Sequence, residues 1–319
     1  MNPKVTKLLK ITLPLLLGVF LVWYSLSQIS IEKLIEYFEK TDYSYILLGV
    51  FFGLLSHLSR AYRWRFQLEP MGYNIKLGNS IMAVFATYLI NYTIPRAGEV
   101  ARASILTNYE SVPFEKGFGT ILAERIADLI VMLGIITVTL FLQFDFIYGF
   151  LIKKFNPSKI AIVAVVVIII VVLFLRFVKK SSSKLALKIK SFVNGLVEGA
   201  MSIFKMKKKW VFIFHTLFIW SMYVLMFYVT SFALEDTSNI PFAAILIGFI
   251  AASFSIAATN GGIGSYPEAI VLAFSLFSLP DDPSRAFGWI MWGSQTLLII
   301  IFGGLSLIYL PIFNRKKAS

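Results

Sequence analysis

The chain has no cysteine and only two histidines, His57 and His215. The first absence excludes disulfides and thiolate chemistry. The second leaves nothing to build a histidine-based metal cluster, and no metal is expected. Charge is also scarce. Asp, Glu, Lys and Arg make up 15% of the 319 residues, where a soluble domain carries about a quarter. No nucleotide-binding P-loop, Asp-x-Asp pair or other cofactor motif is present, so no cofactor is expected. What fills the chain is apolar sequence, 58% of it hydrophobic, with several runs reaching the ~20 residues that a spanning helix needs. The fold class this implies is an all-α, polytopic transmembrane helical bundle.

The formal net charge is +13. In a soluble protein that would suggest nucleic acid. Here the bases gather beside apolar runs, as they do on cytoplasmic loops of membrane proteins, and no nucleic-acid partner is expected.

Taken in order, the N-terminus is basic and then apolar from Ile11 to Leu26. It has signal-peptide character without a small-x-small cleavage site, so it reads as an uncleaved first span leaving the cytoplasm. A mixed-charge segment, Ile31 to Asp42, follows on the outer surface. A second span covers Tyr43 to Trp64 and ends in Arg60, Arg63 and Arg65, which mark a cytoplasmic end. His57, in its last turns, reads as a packing residue. Later spans are expected from about Phe114 to Phe144, from Ile160 to Val178, from Trp210 to Leu234 and from Ala286 to Ile312. Pro280-Asp281-Asp282-Pro283 reads as the loop before the last of these.

Lys179 to Lys209 carries nine lysines, with Leu185, Ile189, Phe192, Val193, Leu196 and Ile203 at helical spacing. It reads as a cytoplasmic amphipathic helix lying on anionic lipid. The whole is expected to be one membrane domain, residues 1–319. Its first repeat covers about 43–144, its linker 179–209 and its second repeat about 210–312.

Two segments break the pattern. Leu77 to Ile94 has an uninterrupted apolar run of ten residues, Ile81 to Ile90, closed by Asn91, Thr93 and Pro95. So short a run suits a re-entrant arm better than a span. A second short helix from about Ala97 to Asn108 would complete a hairpin with its tip at Asn91 to Gly98. Pro241 to Ala258 and Ser265 to Leu279 form a corresponding pair around Thr259-Asn260-Gly261-Gly262-Ile263-Gly264. Each pair leads through a proline turn into a span. Three spans separate them, an odd number, so the two hairpins would enter from opposite sides as an inverted repeat. Paired Gly- or Pro-interrupted segments in two halves point to a transporter's central site. Six spans result if the hairpins do not cross and ten if their arms do, with both termini cytoplasmic either way.

The charges collect in one stretch, Tyr92 to Asp128, and in the second break. Intramembrane charges are buried against partners or water. Arg96, Arg102 and Arg125 are candidates for a lipid phosphate, because guanidinium suits it bidentately. Glu99, Glu124, Asp128 and Glu268 are candidates for a cationic headgroup, and Asn260 for a polar contact. Pro95, Gly98, Gly261, Gly262 and Gly264 would let backbone approach the ligand and flex. Structural alternatives stand beside these. Ser265-x-x-Glu268 matches a capping box, and acids near helix starts are favoured by the dipole. The charges on 99 to 128 could equally form a salt-bridge lock.

At these residues the chain resembles a known family. PRAGEVARASIL, then ERIADL, then GGIGSYPEA, is similar to the lysylphosphatidylglycerol synthase transmembrane-region family, also called flippase-like integral membrane proteins. The Pro-x-x-Gly-Glu-x-x-Arg motif falls on Pro95, Gly98, Glu99 and Arg102, and the Glu-Arg pair on Glu124 and Arg125. The Gly-Gly-x-Gly motif falls on Gly261, Gly262 and Gly264. Its acid, Glu268, comes one residue later than is usual, after Pro267. The resemblance implies a lipid flippase of the bacterial inner membrane, working on a phospholipid or lipid-linked substrate. No aminoacyltransferase domain follows Lys317 here, so translocation is the activity implied, and the chain is expected not to be an enzyme. A homodimer is one assembly the pattern allows. The alternative is a membrane enzyme or accessory subunit in envelope lipid or lipid-linked glycan synthesis.

Overall fold

The computed structural model describes residues 3–146 and 206–315, together with isolated positions between them. The described residues are helical, without strands. The fourth expected span and nearly all of Lys179–Lys209 lie outside them. The chain divides into two compact units, Met1–Ile121 with Trp210–Ser319, and Leu122–Lys209.

In the first unit, α1 (Pro3–Ser27) leads into a short surface helix, α2 (Ile31–Glu39), whose N-terminus is capped by the Ser30 hydroxyl accepting from the Lys33 amide. Asp42 caps α3 (Tyr43–Leu68) in the same way, through the Ser44 amide. A 3-10 turn with Pro70 ends at Gly72 in the left-handed region, and α4 (Leu77–Thr93) follows. Ile94, extended as a residue before proline must be, then Pro95 and left-handed Arg96 turn the chain into α5 (Ala97–Glu110). The next helix, α6 (Phe114–Leu142), carries the chain into the second unit.

The first unit resumes with α7 (Lys209–Thr230) and a short α8 (Glu235–Ser238). Next come α9 (Phe242–Ala258), the break, and α10 (Ser265–Ser275). The chain closes with α11 (Asp281–Phe313). Among the described residues, four helices are long and apolar enough to cross a membrane: α3 with its 3-10 turn, α6, α7 with the 3-10 turn after it, and α11.

One expectation needs correcting. The last span starts at Asp281, not near Ala286, so Pro280–Pro283 is no loop. Two prolines and two acids suit a helix start: proline needs no amide partner in the first turn, and carboxylates favour the positive end of the dipole. The resulting helix has 33 residues and is ~50 Å long, longer than the hydrocarbon layer.

That length lets α11 serve both hairpins. Along its C-terminal half lies α4, antiparallel. Asn314 exchanges amide hydrogen bonds with Asn79, Phe302 stacks on Phe85, and the Tyr92 hydroxyl lies 3.2 Å from the Thr296 hydroxyl. Along its N-terminal half lies α10, with Pro267 against Gly288 and Glu268 against Arg285. Each hairpin has its own core. Trp64, Leu68, Ala83, Ala103 and Leu106 are fully buried around the first. Phe227, Phe249, Phe274 and Phe287 meet ring to ring around the second.

The two ends of this unit differ in charge. At one end the Lys33 ammonium donates to Asp282, and the Asp42 amide to the carbonyl of Ala233. Glu32, Glu36, Glu39, Asp281 and Asp282 gather there. At the other end are Arg65 on Asn74, Lys76 over the Phe313 ring, and Lys116 on Tyr73. Lys40 pairs with Glu36 at the first end, and Glu110 accepts from the Lys76 amide and from Asn79 at the second, so the ends differ in their balance of charge and not in sign alone.

Candidate functional site

The two breaks meet halfway along α11. A Cβ built on Gly261 would fall 2.3 Å from the Tyr92 ring, so only a glycine lets the second break close on the end of α4. The Trp292 indole donates to the carbonyl of Gly261 at 2.8 Å, which satisfies backbone that the break would otherwise leave bare. Gly261, Gly262 and Gly264 all have positive φ. Asn260 is buried beside them, and its amide nitrogen has no hydrogen-bond partner among the described residues.

On the first hairpin, Asn91 holds the turn from both sides. Its carbonyl oxygen accepts from the Gly98 amide at 2.8 Å, and its nitrogen donates to Glu99 at 3.3 Å. Gly98 is forced by closeness: a Cβ there would lie 2.1 Å from the Thr87 carbonyl oxygen. One turn further on, Arg102 is buried with its guanidinium 3.9 Å from the centre of the Trp64 ring, while the Trp64 indole donates to Thr120. Such a cation–π contact is stronger where water is excluded. Arg96, by contrast, is exposed at the tip.

On the second hairpin, the capping box that stood as the structural alternative is not formed. The Ser265 hydroxyl instead meets those of Ser255 and Thr259, at 2.6 and 3.0 Å. Glu268 is free of capping and takes Arg285 bidentately, Nε to Oε1 at 2.8 Å and Nη2 to Oε2 at 3.2 Å. The Ser25 hydroxyl of α1 adds a third bond to Oε1, at 2.6 Å. Arg285 also lies 3.9 Å from Asp282. Glu268 and Glu99 both sit in the first turn of a helix that starts at a break.

Glu124 and Asp128 are buried on α6, four residues apart, and Arg125 on the same helix is exposed. They belong to the second compact unit. His57 packs among Phe85, Tyr88 and Tyr223.

Sequence reasoning passed over Arg285, Ser25, Asn91 and Trp292. Arg285 carried a signal, being the only base from Asp281 to Phe313. A lone cation on an apolar span needs an acid. It also passed over the burial of Arg60 and Arg63, read as end markers. Arg63 is fully buried, donating to the Thr216 hydroxyl at 2.7 Å and lying over Phe212.

A UPF0104 membrane protein of Methanocaldococcus jannaschii is 25% identical over 98% of both chains. A UPF0104 membrane protein of Pyrococcus horikoshii is 29% identical over 42% of this chain and 40% of its own. The glycosyltransferase AglD of Haloferax volcanii is 27% identical over 44% of this chain, a match that spans 22% of the glycosyltransferase. No solved structure matches. The model of the lysylphosphatidylglycerol synthase TM region matches residues 11–304, and the chain belongs to that family of multi-pass membrane proteins.

Proposed function

We propose that this protein is a carrier that moves a polar lipid headgroup across the membrane in which it sits. The observation that carries the reading is the meeting of two broken-helix hairpins at Tyr92 and Gly261, halfway along α11, the longest of the described helices. Irregular backbone at membrane depth is tolerated only where it is buried in protein or lines a wet path. In transporters such breaks, placed in opposite halves, form the substrate site. An inverted relation between the halves agrees with the two hairpins lying on opposite halves of α11.

Arg102 and Arg285 are then the groups for a lipid phosphate, with Glu99 and Glu268 for a cationic headgroup. The cargo class is a phospholipid or lipid-linked substrate. The basic end faces the cytoplasm, which puts both termini inside. The named relatives are archaeal, so the membrane is proposed as the cell membrane, bacterial or archaeal. The relative named a glycosyltransferase favours a second reading, in which the cargo is a lipid-linked glycan or the chain is an accessory subunit in its synthesis.

Reconstitution into liposomes with a panel of labelled lipids tests the reading. Transport of at least one lipid above the empty-liposome level is expected, and it is expected to be lost in Arg102→Ala while that variant still inserts. A stable Arg102→Ala protein with unimpaired transport would remove Arg102 from the site. No transport of any lipid, glycan-linked ones included, would refute the carrier reading.

A further inference from the structure

We propose that α1 and α2 form a lateral gate over the second break, through which a phosphate-bearing lipid headgroup reaches Arg285 and Glu268 from the side. The inference rests on the carrier reading and adds the route by which cargo enters.

The gate is seated on small residues. Gly18 lies against Ile263, and α1 backbone at Leu21 and Val22 lies against Gly264 so closely that a Cβ on Gly264 would sit 2.3 Å from the Val22 nitrogen. The opposite side of α1 is apolar and exposed, with Leu16, Leu17, Val19, Phe20 and Trp23 turned outward. In a membrane those side chains face acyl chains. Moving α1 aside would therefore open the polar pair to the bilayer, where a lipid can present its headgroup without pulling its tails into protein.

A chain of polar contacts latches the gate. Ser25 on α1 donates to Glu268, which holds Arg285; Arg285 approaches Asp282, which accepts from Lys33 on α2. Two of these contacts cross the gate, Ser25–Glu268 and Lys33–Asp282. Breaking both leaves no buried charge stranded, because Arg285 holds both oxygens of Glu268 and lies 3.9 Å from Asp282, and Lys33 is exposed. An unpaired buried charge is what usually forbids such an opening. The other sides of the break are fixed more firmly, by Trp292 on the Gly261 carbonyl and by Gly288 pressed on Pro267. The arriving phosphate would take Arg285, and Glu268 would accept any cationic or hydroxyl group beside it.

Because the chain lacks cysteine, a cross-link can be placed cleanly. A Cβ on Gly18 lies 3.7 Å from that of Ile263, inside the ~3.5–4.5 Å range of disulfides. In liposomes of mixed zwitterionic and anionic phospholipid, oxidised Gly18→Cys/Ile263→Cys protein is expected to fall to the empty-liposome level. Dithiothreitol should restore transport to the rate of the reduced double variant, and oxidant should leave each single variant at its own reduced rate. Full transport by protein shown by mass spectrometry to be cross-linked would overturn the gate and leave the carrier reading intact. A native chain that moves no lipid would overturn the carrier reading itself. Should the double variant fail to fold, Ser25→Ala/Lys33→Ala gives a second test. Weakening the closed state should raise the initial rate roughly two- to threefold. A slower rate with unchanged melting would overturn the gate.

Discussion

The first break turns in three residues, Ile94 to Arg96, none of them glycine; the second takes six, Thr259 to Gly264, with glycines at three positive-φ positions. Around the first, α5 is pressed on α4 at Gly98, and Trp64 sits between Arg102 and Thr120 in a core of small aliphatic residues. Around the second, the glycines carry no side chains to hold the turn. Its fixing comes from outside, through Trp292, the Glu268–Arg285 pair and α1. A turn held by its own packing is rigid, whereas one held by neighbours moves when they do. On the carrier reading, the first hairpin is the fixed wall of the site, and the second, held by neighbours that include the proposed gate α1, is the half expected to move.

The largest expected effect tests the pin of the moving half. Arg285→Ala leaves Glu268 with a hydroxyl and no cation. Removing one partner of a buried pair costs ~3–5 kcal/mol, and the partial exposure of Glu268, 19% of its side chain, puts this case at the low end. Arg285→Met/Glu268→Met should recover most of that loss in thermal melting in detergent, because it strands no charge. If the single variant melts like the native protein, the pair is no pin.

The next effect sharpens the contrast between the hairpins. Gly98→Ala pushes a methyl into a backbone carbonyl, which cannot step aside, and overpacking of this kind costs ~1–3 kcal/mol. Gly262→Ala meets its nearest atom at 3.2 Å, and that atom is a Tyr266 side-chain carbon. It should melt closer to native despite its positive φ, yet slow transport more per degree of melting lost. The reverse ranking would exchange the fixed and moving halves. Smaller still is the coupling between Arg102 and Trp64. A double-mutant cycle with Arg102→Met and Trp64→Leu should give ~0.5–2 kcal/mol. A coupling near zero would mean that other contacts hold Arg102.

Most of this contrast was legible in the chain. Glycine, proline and short apolar runs marked both breaks, because those residues govern backbone angles locally. The lengths of α4, α5 and α9 followed from the same marks, whereas α10 ends at Ser275, short of the expected Leu279. What local pattern could not give is who meets whom. Tyr92 and Gly261 are far apart in sequence, and nothing near either announces the other. Arg285 was lost for a narrower reason. Reading Pro280 and Pro283 as a loop places Arg285 before the helix, although the same residues suit a first helical turn. Reading α11 from Asp281 puts Arg285, Gly288, Trp292 and Thr296 at spacings of three, four and four, on one face. That face is the one both breaks touch.

The smallest expected effect concerns α2, whose charges lie outside the apolar helices. The hydrogen bond and charge of Asp282 raise the Lys33 ammonium above its ordinary 10.5, and the bond to Lys40 lowers the Glu36 carboxyl below its ordinary 4.5. The two shifts act at opposite ends of the pH scale. A raised lysine stabilises the folded state below its unfolded value, and that contribution disappears only as pH rises through the folded value. A lowered carboxylate stabilises above its unfolded value, and its contribution disappears only as pH falls through the folded one. Both contributions are therefore complete throughout the neutral range. The difference in melting temperature between native protein and Lys33→Ala should be small, because exposed pairs are screened, and flat from about pH 6 to 9. The outer latch of the gate is then insensitive to a transmembrane pH difference. A Lys33→Ala difference that grows or vanishes within that window would place a third titrating group at the latch and make the moving half of the molecule pH-sensitive.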